Sequence, residues 1–210
     1  MSDRVMIWSQ TLRGRAFDLL APTPEMVDFA EIADTLATLN RYAGAAEKPV
    51  SVALHTLIAC DAAERESDKA AILLHDAHEA FIGEITTPAA SAIHEIIRRT
   101  AGYKPAEAFA DALAALKLNI DAAIFAAAGL LLPEPGQRAR VKLADLRALV
   151  TERRDFLSPP PMPWHPTIEA IPPLPKKYRL DSYGRSAPDV AEKLLARFKI
   201  YLPALRQQAA

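Results

Sequence analysis

From Met26 onward the apolar residues fall at intervals of three and four: Met26, Phe29, Ile32, Ala33, Leu36 and Leu39. That spacing lines one face of an α-helix, whereas a strand would alternate every two residues. The same period lines up Val141, Ala144, Ala148 and Leu149, and a further apolar segment carries Val52, Leu54, His55, Leu57, Ile58 and Ala59. The chain is therefore expected to be all-α. The one exception lies within residues 5 to 20, where two short β-prone pieces flank Arg13 and Gly14 and predict a small N-terminal hairpin.

The punctuation between helices sets the expected boundaries. Thr23 ahead of Pro24 reads as a helix cap, and that helix is expected to run to about Arg41. A linker from Ala43 to Pro49 leads to Ser51, the expected N-cap of the next helix. Residues 69 to 82 read as one helix, apolar around its first half and therefore buried in the centre of a bundle, with Gly83 as its stop and Pro88 in the following loop. Helices are expected over 91 to 101, over 105 to 128 with a break near Asn119, over 138 to 157 and over 188 to 205, with Pro133, Pro135 and Gly136 as a linker. Eight of the 17 prolines fall between 159 and 175, so that stretch must be irregular or extended. No repeat or composition shift divides the chain, which predicts a single domain over 1 to 210.

Charge narrows the partners. Lys plus Arg number 25 against 26 Asp plus Glu, so no basic surplus grips a nucleic-acid polymer. The longest uncharged apolar run, Ala122 to Leu132, has 11 residues, short of the roughly 20 a bilayer-spanning helix needs, and reads as a core helix. The start lacks a secretory pattern and Cys60 is the single cysteine, so a cytoplasmic protein without internal disulfides is expected.

Polar residues that interrupt apolar faces carry the chemistry. His55 has Val52, Ile58 and Ala59 as helical neighbours, His75 follows Ala71 and Ile72, and Asp145 lies between Val141 and Leu149. A buried, unpaired carboxylate costs several kcal/mol, so Asp76 and Asp145 need a cation, several donors or exposure. A metal ion would satisfy all four residues together, and two imidazoles with two carboxylates suit cobalt, manganese, zinc, nickel or iron better than magnesium or calcium. A hydrogen-bonded polar core is the plainer alternative. Glu79 shares a helical face with His75, while the angle of His78 is open; His94 and His165 have no apolar helical context.

His55, then His75-Asp76, then Asp145 in KLADLRALVTERRDF resemble the ordered motif of the HD-domain metal-dependent phosphohydrolases. NRY at 40 to 42, PVSVALH at 49 to 55, ILLHDAHEAFIGEITTP at 72 to 88 and ADLRAL at 144 to 149 extend the likeness over residues 26 to 157. The block HDxxEAFxGExxTP is similar to the branch that contains the bacterial deoxyribonucleoside 5′-monophosphatases. The resemblance implies an HD-type helical bundle, with residues 158 to 210 as a Pro-rich strap and final helix outside the matched core. It implies one divalent transition ion on His55, His75, Asp76 and Asp145. Glu79 would act on the water or leaving group, Arg41 would reach the substrate phosphate, Tyr42 would meet the sugar, and Glu84, Ile85, Thr86 and Thr87 would line the nucleoside pocket. Glu84 and Tyr42 depart from the Asp and Trp expected of that branch, which bears on substrate identity and leaves the metal set intact.

The expected activity is hydrolysis of a nucleotide phosphate ester, a deoxynucleoside 5′-monophosphate foremost. Release of triphosphate from a deoxynucleoside triphosphate, a non-catalytic nucleotide-binding module and a purely structural helical protein are the alternatives. The partner is a small nucleotide, with no polymer and no membrane. The strap around Trp164 could cap the pocket, cover a core or form the contact of a homodimer.

Overall fold

The computed structural model describes residues 5 to 208. Strands β1 (Trp8–Gln10) and β2 (Ala16–Asp18) pair antiparallel with Ser9 opposite Phe17. This is the predicted hairpin, and Gly14, at φ 77°, supplies the left-handed residue of its turn. Phe17 is fully buried and stacks on Phe81, which fastens the hairpin to the helices.

Helix α1 (Phe29–Thr38) begins later and ends earlier than the periodicity suggests. Pro24–Met26 is a separate 3₁₀ turn without a side-chain cap from Thr23; Val27 is extended, and the Asp28 carboxylate accepts the N–H groups of Ala30 and Glu31 at 2.9 and 3.2 Å. At the other end, Arg41 N–H donates to the Val50 carbonyl at 2.8 Å and Val52 N–H to that of Leu39 at 2.9 Å. This antiparallel bridge around Asn40 and Ser51 draws residues 39 to 41 out of the helix.

Ser51 caps α2 (Val52–Asp61) as expected, accepting from Leu54 N–H at 3.1 Å. Ser51→Ala is expected to cost about 1 kcal/mol, lowering the thermal midpoint by roughly 2–4 °C for a chain of this size; an unchanged melt would deny the cap its role. Every residue of α2 from Val52 to Cys60 is buried, with α1, α3 (Lys69–Leu74), α7 (Pro135–Phe156) and α9 (Ala187–Tyr201) around it. This is the centre of the bundle that the sequence assigns to residues 69 to 82.

That expected single helix is two. After α3 the chain winds as 3₁₀ turns, with Ala77 N–H on Leu74 O, Glu79 N–H on Asp76 O and Ala80 N–H on Ala77 O at 3.0 to 3.2 Å, before α4 (Glu79–Ile82). Gly83, at φ 75°, ends α4 as predicted. Helices α5 (Thr87–Ala101) and α6 (Tyr103–Ala127) form a hairpin at the side. Asn119 is exposed and does not break α6; Leu131, beyond its end, is 92% exposed, so the apolar run is only partly core. Pro135 and Gly136 belong to the first turn of α7 rather than to a linker.

The Pro-rich segment runs along α7. Leu174 N–H donates to Thr151 Oγ1 at 2.9 Å, and Arg154 holds the carbonyls of Leu174 and Lys176. A short α8 (Pro166–Glu169) lies within it, with Arg153 over the Trp164 ring. The chain then closes with α9 and α10 (Pro203–Gln208), which Pro203 separates. Among the described residues, no helix is long and apolar enough to cross a membrane.

Candidate metal centre

Three segments bring the four predicted donors together. His55 sits in the second turn of α2 and is fully buried. His75 and Asp76 occupy the turns after α3, and Asp145 projects from the middle of α7. His55 Nε2 lies 3.3 Å from His75 Nε2, 3.7 Å from Asp76 Oδ2 and 3.1 Å from Asp145 Oδ1. His75 Nε2 is 3.1 Å from Asp76 Oδ2 and 4.0 Å from Asp145 Oδ1. An ion about 2.0–2.2 Å from each tetrahedral donor needs donor separations of roughly 3.3–3.6 Å; His55, His75 and Asp76, whose donor atoms all lie within 4.8 Å of one another, approach that size, and Asp145 stands at its edge against His55.

The hydrogen bonds also orient the ring nitrogens. His75 Nδ1–H donates to the Ile72 carbonyl at 2.7 Å, an acceptor that fixes this nitrogen as the proton carrier. His55 Nδ1 donates to Glu152 Oε1 at 2.6 Å. Both Nε2 atoms therefore turn their lone pairs toward one point, where they repel unless a proton or cation stands between them.

The electrostatics favour positive charge at that point. Burial alone would raise Asp76, but His75, His55 and Arg41 hold it well below the usual carboxylate range. Asp145 is likewise held low against its burial by the hydrogen bond and charge of His55. Burial and Arg41 oppose a charged His55, yet Glu152 and Asp145 outweigh them and push it up to about 9. A metal would replace the proton so favoured. Asp145 Oδ2 accepts from Lys142 Nζ at 2.7 Å, and Asp76 remains 19% exposed, so the cluster opens to solvent on one side.

Glu152 joins this cluster, and the sequence reading missed it. It is fully buried two turns beyond Asp145 on α7. One oxygen takes His55 Nδ1–H; the other accepts Arg41 Nε–H at 3.1 Å and Tyr42 O–H at 2.5 Å. The seven-residue interval from Asp145 to Glu152 was the available signal, since it returns to the same helical face. Glu152 thus ties a predicted ligand to both residues of the predicted phosphate and sugar contacts.

The chain is 33% identical over 146 residues, 66% of its length and 67% of the other, to an uncharacterized protein of Rhodobacter capsulatus. The chain belongs to the same family as that protein. No family model matches the chain.

Other predicted residues fall around this centre. Arg41 is buried, with Nη1 3.8 Å from Asp76 Oδ2. Tyr42 and Ala43 take left-handed φ values of 59° and 51°, strained for residues with a Cβ. Glu84 faces their two N–H groups, which restrain it against the upward push of burial; its Oε2 is buried without a partner. Glu79 is buried, its Oε2 also unpartnered. Burial, and then the Asp76 carboxylate, push Glu79 up to about 8 against the pull of Arg41, so it keeps a proton near neutrality. Thr86 caps α5 through Ala89 N–H, Ile85 is half-buried and Thr87 is exposed.

Proposed function

We propose that this protein is a metal-dependent phosphohydrolase acting on a nucleotide phosphate ester, a deoxynucleoside 5′-monophosphate foremost. The observation that supports this most is the convergence of two outward-held Nε2 lone pairs and two depressed carboxylates on one point. His55, His75, Asp76 and Asp145 would hold one divalent ion, with cobalt, manganese, zinc, nickel and iron all compatible with the donor set. Such an ion, when bound, lowers the pKa of its water from 15.7 toward about 7 and polarises a phosphoryl oxygen.

The chain's own groups supply the remainder. With Nε fixed on Glu152, the Nη groups of Arg41 are the part that would meet a phosphate oxygen. Glu79, protonated near neutrality beside the centre, is suited to give its proton to the departing oxygen. Tyr42, Glu84, Ile85, Thr86 and Thr87 would border the nucleoside. A cytoplasmic location, where free nucleotides are abundant, belongs to the same reading.

The test is a screen of nucleoside mono- and triphosphates against several divalent metals, reading both phosphate and triphosphate release. Metal-dependent phosphate release from deoxynucleoside monophosphates is expected; triphosphate release would redirect the reading to triphosphohydrolysis. Stripping the metal should lower the thermal midpoint on the order of 5–10 °C when the free ion had stood near 100 times its Kd. Protein that carries no metal, with a melt unaffected by His75→Ala, would sink the assignment.

A further inference from the structure

We infer that Asp76, His78 and Glu79 form a second divalent-cation pocket beside the first. The 3₁₀ winding brings two of the three together: at three residues per turn, side chains at i and i+3 eclipse, so Glu79 stands over Asp76, with His78 on the adjoining side. Ala77 and Ala80 take the third side, Ala77 in the core. Each of Asp76, His78 and Glu79 offers a ligand atom, and these atoms lie within 4.8 Å of one another.

Two independent observations point to a missing positive partner. His78 is 5% exposed, and its Nδ1 lies 3.0 Å from Asp121 Oδ1 on α6. A carboxylate only accepts when ionised, so this contact places a ring proton on Nδ1, and in the neutral tautomer that fits it Nε2 is the free lone pair. That Nε2 is buried with no hydrogen-bond partner, and so is Glu79 Oε2. A buried polar atom left unsatisfied is costly, and here two stand on consecutive residues of one turn. A histidine held only for packing would account for the Asp121 contact but not for its second nitrogen. The Asp121–His78 pair has the form of the carboxylate–histidine arrangement that orients metal-binding imidazoles.

One imidazole and two carboxylates select a borderline divalent ion such as manganese, iron, cobalt or zinc. The inference rests on the proposed function in one respect: Asp76 would serve both ions. While the second ion is bound, Glu79 is a ligand and not a proton donor, so its proton-transfer role belongs to the form with one ion.

The experiment counts ions. Full-length protein is stripped with a chelator, equilibrated with excess manganese chloride, passed through a desalting column and measured by mass spectrometry, with electron paramagnetic resonance reporting spin coupling. Two coupled manganese ions per chain are expected in the wild type and one in His78→Gln, each fold confirmed by circular dichroism. One ion in the wild type overturns the second pocket and leaves the first intact, whereas none overturns both. Two ions in wild type and variant alike also overturn it, because the second would then lie elsewhere. If His78→Gln does not fold, the wild-type count and coupling decide.

Discussion

Glu152→Ala is expected to lose about 3–5 kcal/mol of stability, the range for breaking a buried charged network by removing one member. For a chain of this length that is a fall in thermal midpoint on the order of 10 °C. The reason is local: Arg41 Nε–H, Tyr42 O–H and His55 Nδ1–H all donate to this one carboxylate. Glu152→Gln keeps the volume but turns an amide N–H toward a site lined by donors, so it should recover little. The left-handed backbone at Tyr42 and Ala43 loses one of its anchors at the same time. Metal affinity should drop about 10–100-fold, the usual effect of removing the group that orients a ligating histidine. Thermal melts and chelator competition measure the two effects separately. A midpoint within 2 °C of wild type would show that the network does not hold this end of the bundle.

Glu79→Gln carries the largest expected effect on turnover. Loss of a positioned proton donor typically removes 10²–10⁴ in rate, so turnover should fall by about that factor while the first ion stays bound. Full activity would refute the proton-transfer role. A second readout does not depend on catalysis. In the cation-free protein, Glu79 sits at about 8 against an ordinary 4.5, raised first by burial and then by Asp76. Its contribution to stability is therefore fully present below pH 4.5 and is lost as pH rises through about 8. The glutamine variant cannot ionise and should lose less stability than wild type between pH 5 and 8. Parallel pH profiles of urea midpoint would contradict the raised value.

Much of this arrangement was legible from residue order, and the parts that were not have physical causes. Helix α2 and its Ser51 cap follow from local pattern, as do the core of α7 and the N-terminal hairpin. The ends of α1 did not, because Asp28 competes with Thr23 as a cap and because the bridge at Asn40 and Ser51 is a contact between segments. Apolar content could not separate a continuous helix over 69 to 82 from α3, 3₁₀ turns and α4, since Ile72, Leu73, Leu74 and Ala77 are buried in either winding. His55, His75 and Asp145 were found because each breaks an apolar face, and Asp76 came with the His75-Asp76 pair of the motif. Glu152 was passed over although it shares the face of Asp145; a charged residue beside two arginines reads as surface, and only its distant partners at 41, 42 and 55 show that it is buried.

The 3₁₀ winding at His75–Glu79 also determines which kinds of sequence change this site can survive. A segment turning 120° per residue has no slack: inserting or deleting one residue between Asp76 and Glu79 would rotate everything beyond it by a third of a turn. Substitutions there remove one donor at a time, but a change of length would separate Asp76 from Glu79 altogether. The exposed stretch around Gly44 to Lys48 and the prolines after Ser158 lie on the surface, where added residues cost little loop entropy. Length variation among relatives should therefore collect in those two stretches and be absent between His75 and Glu79.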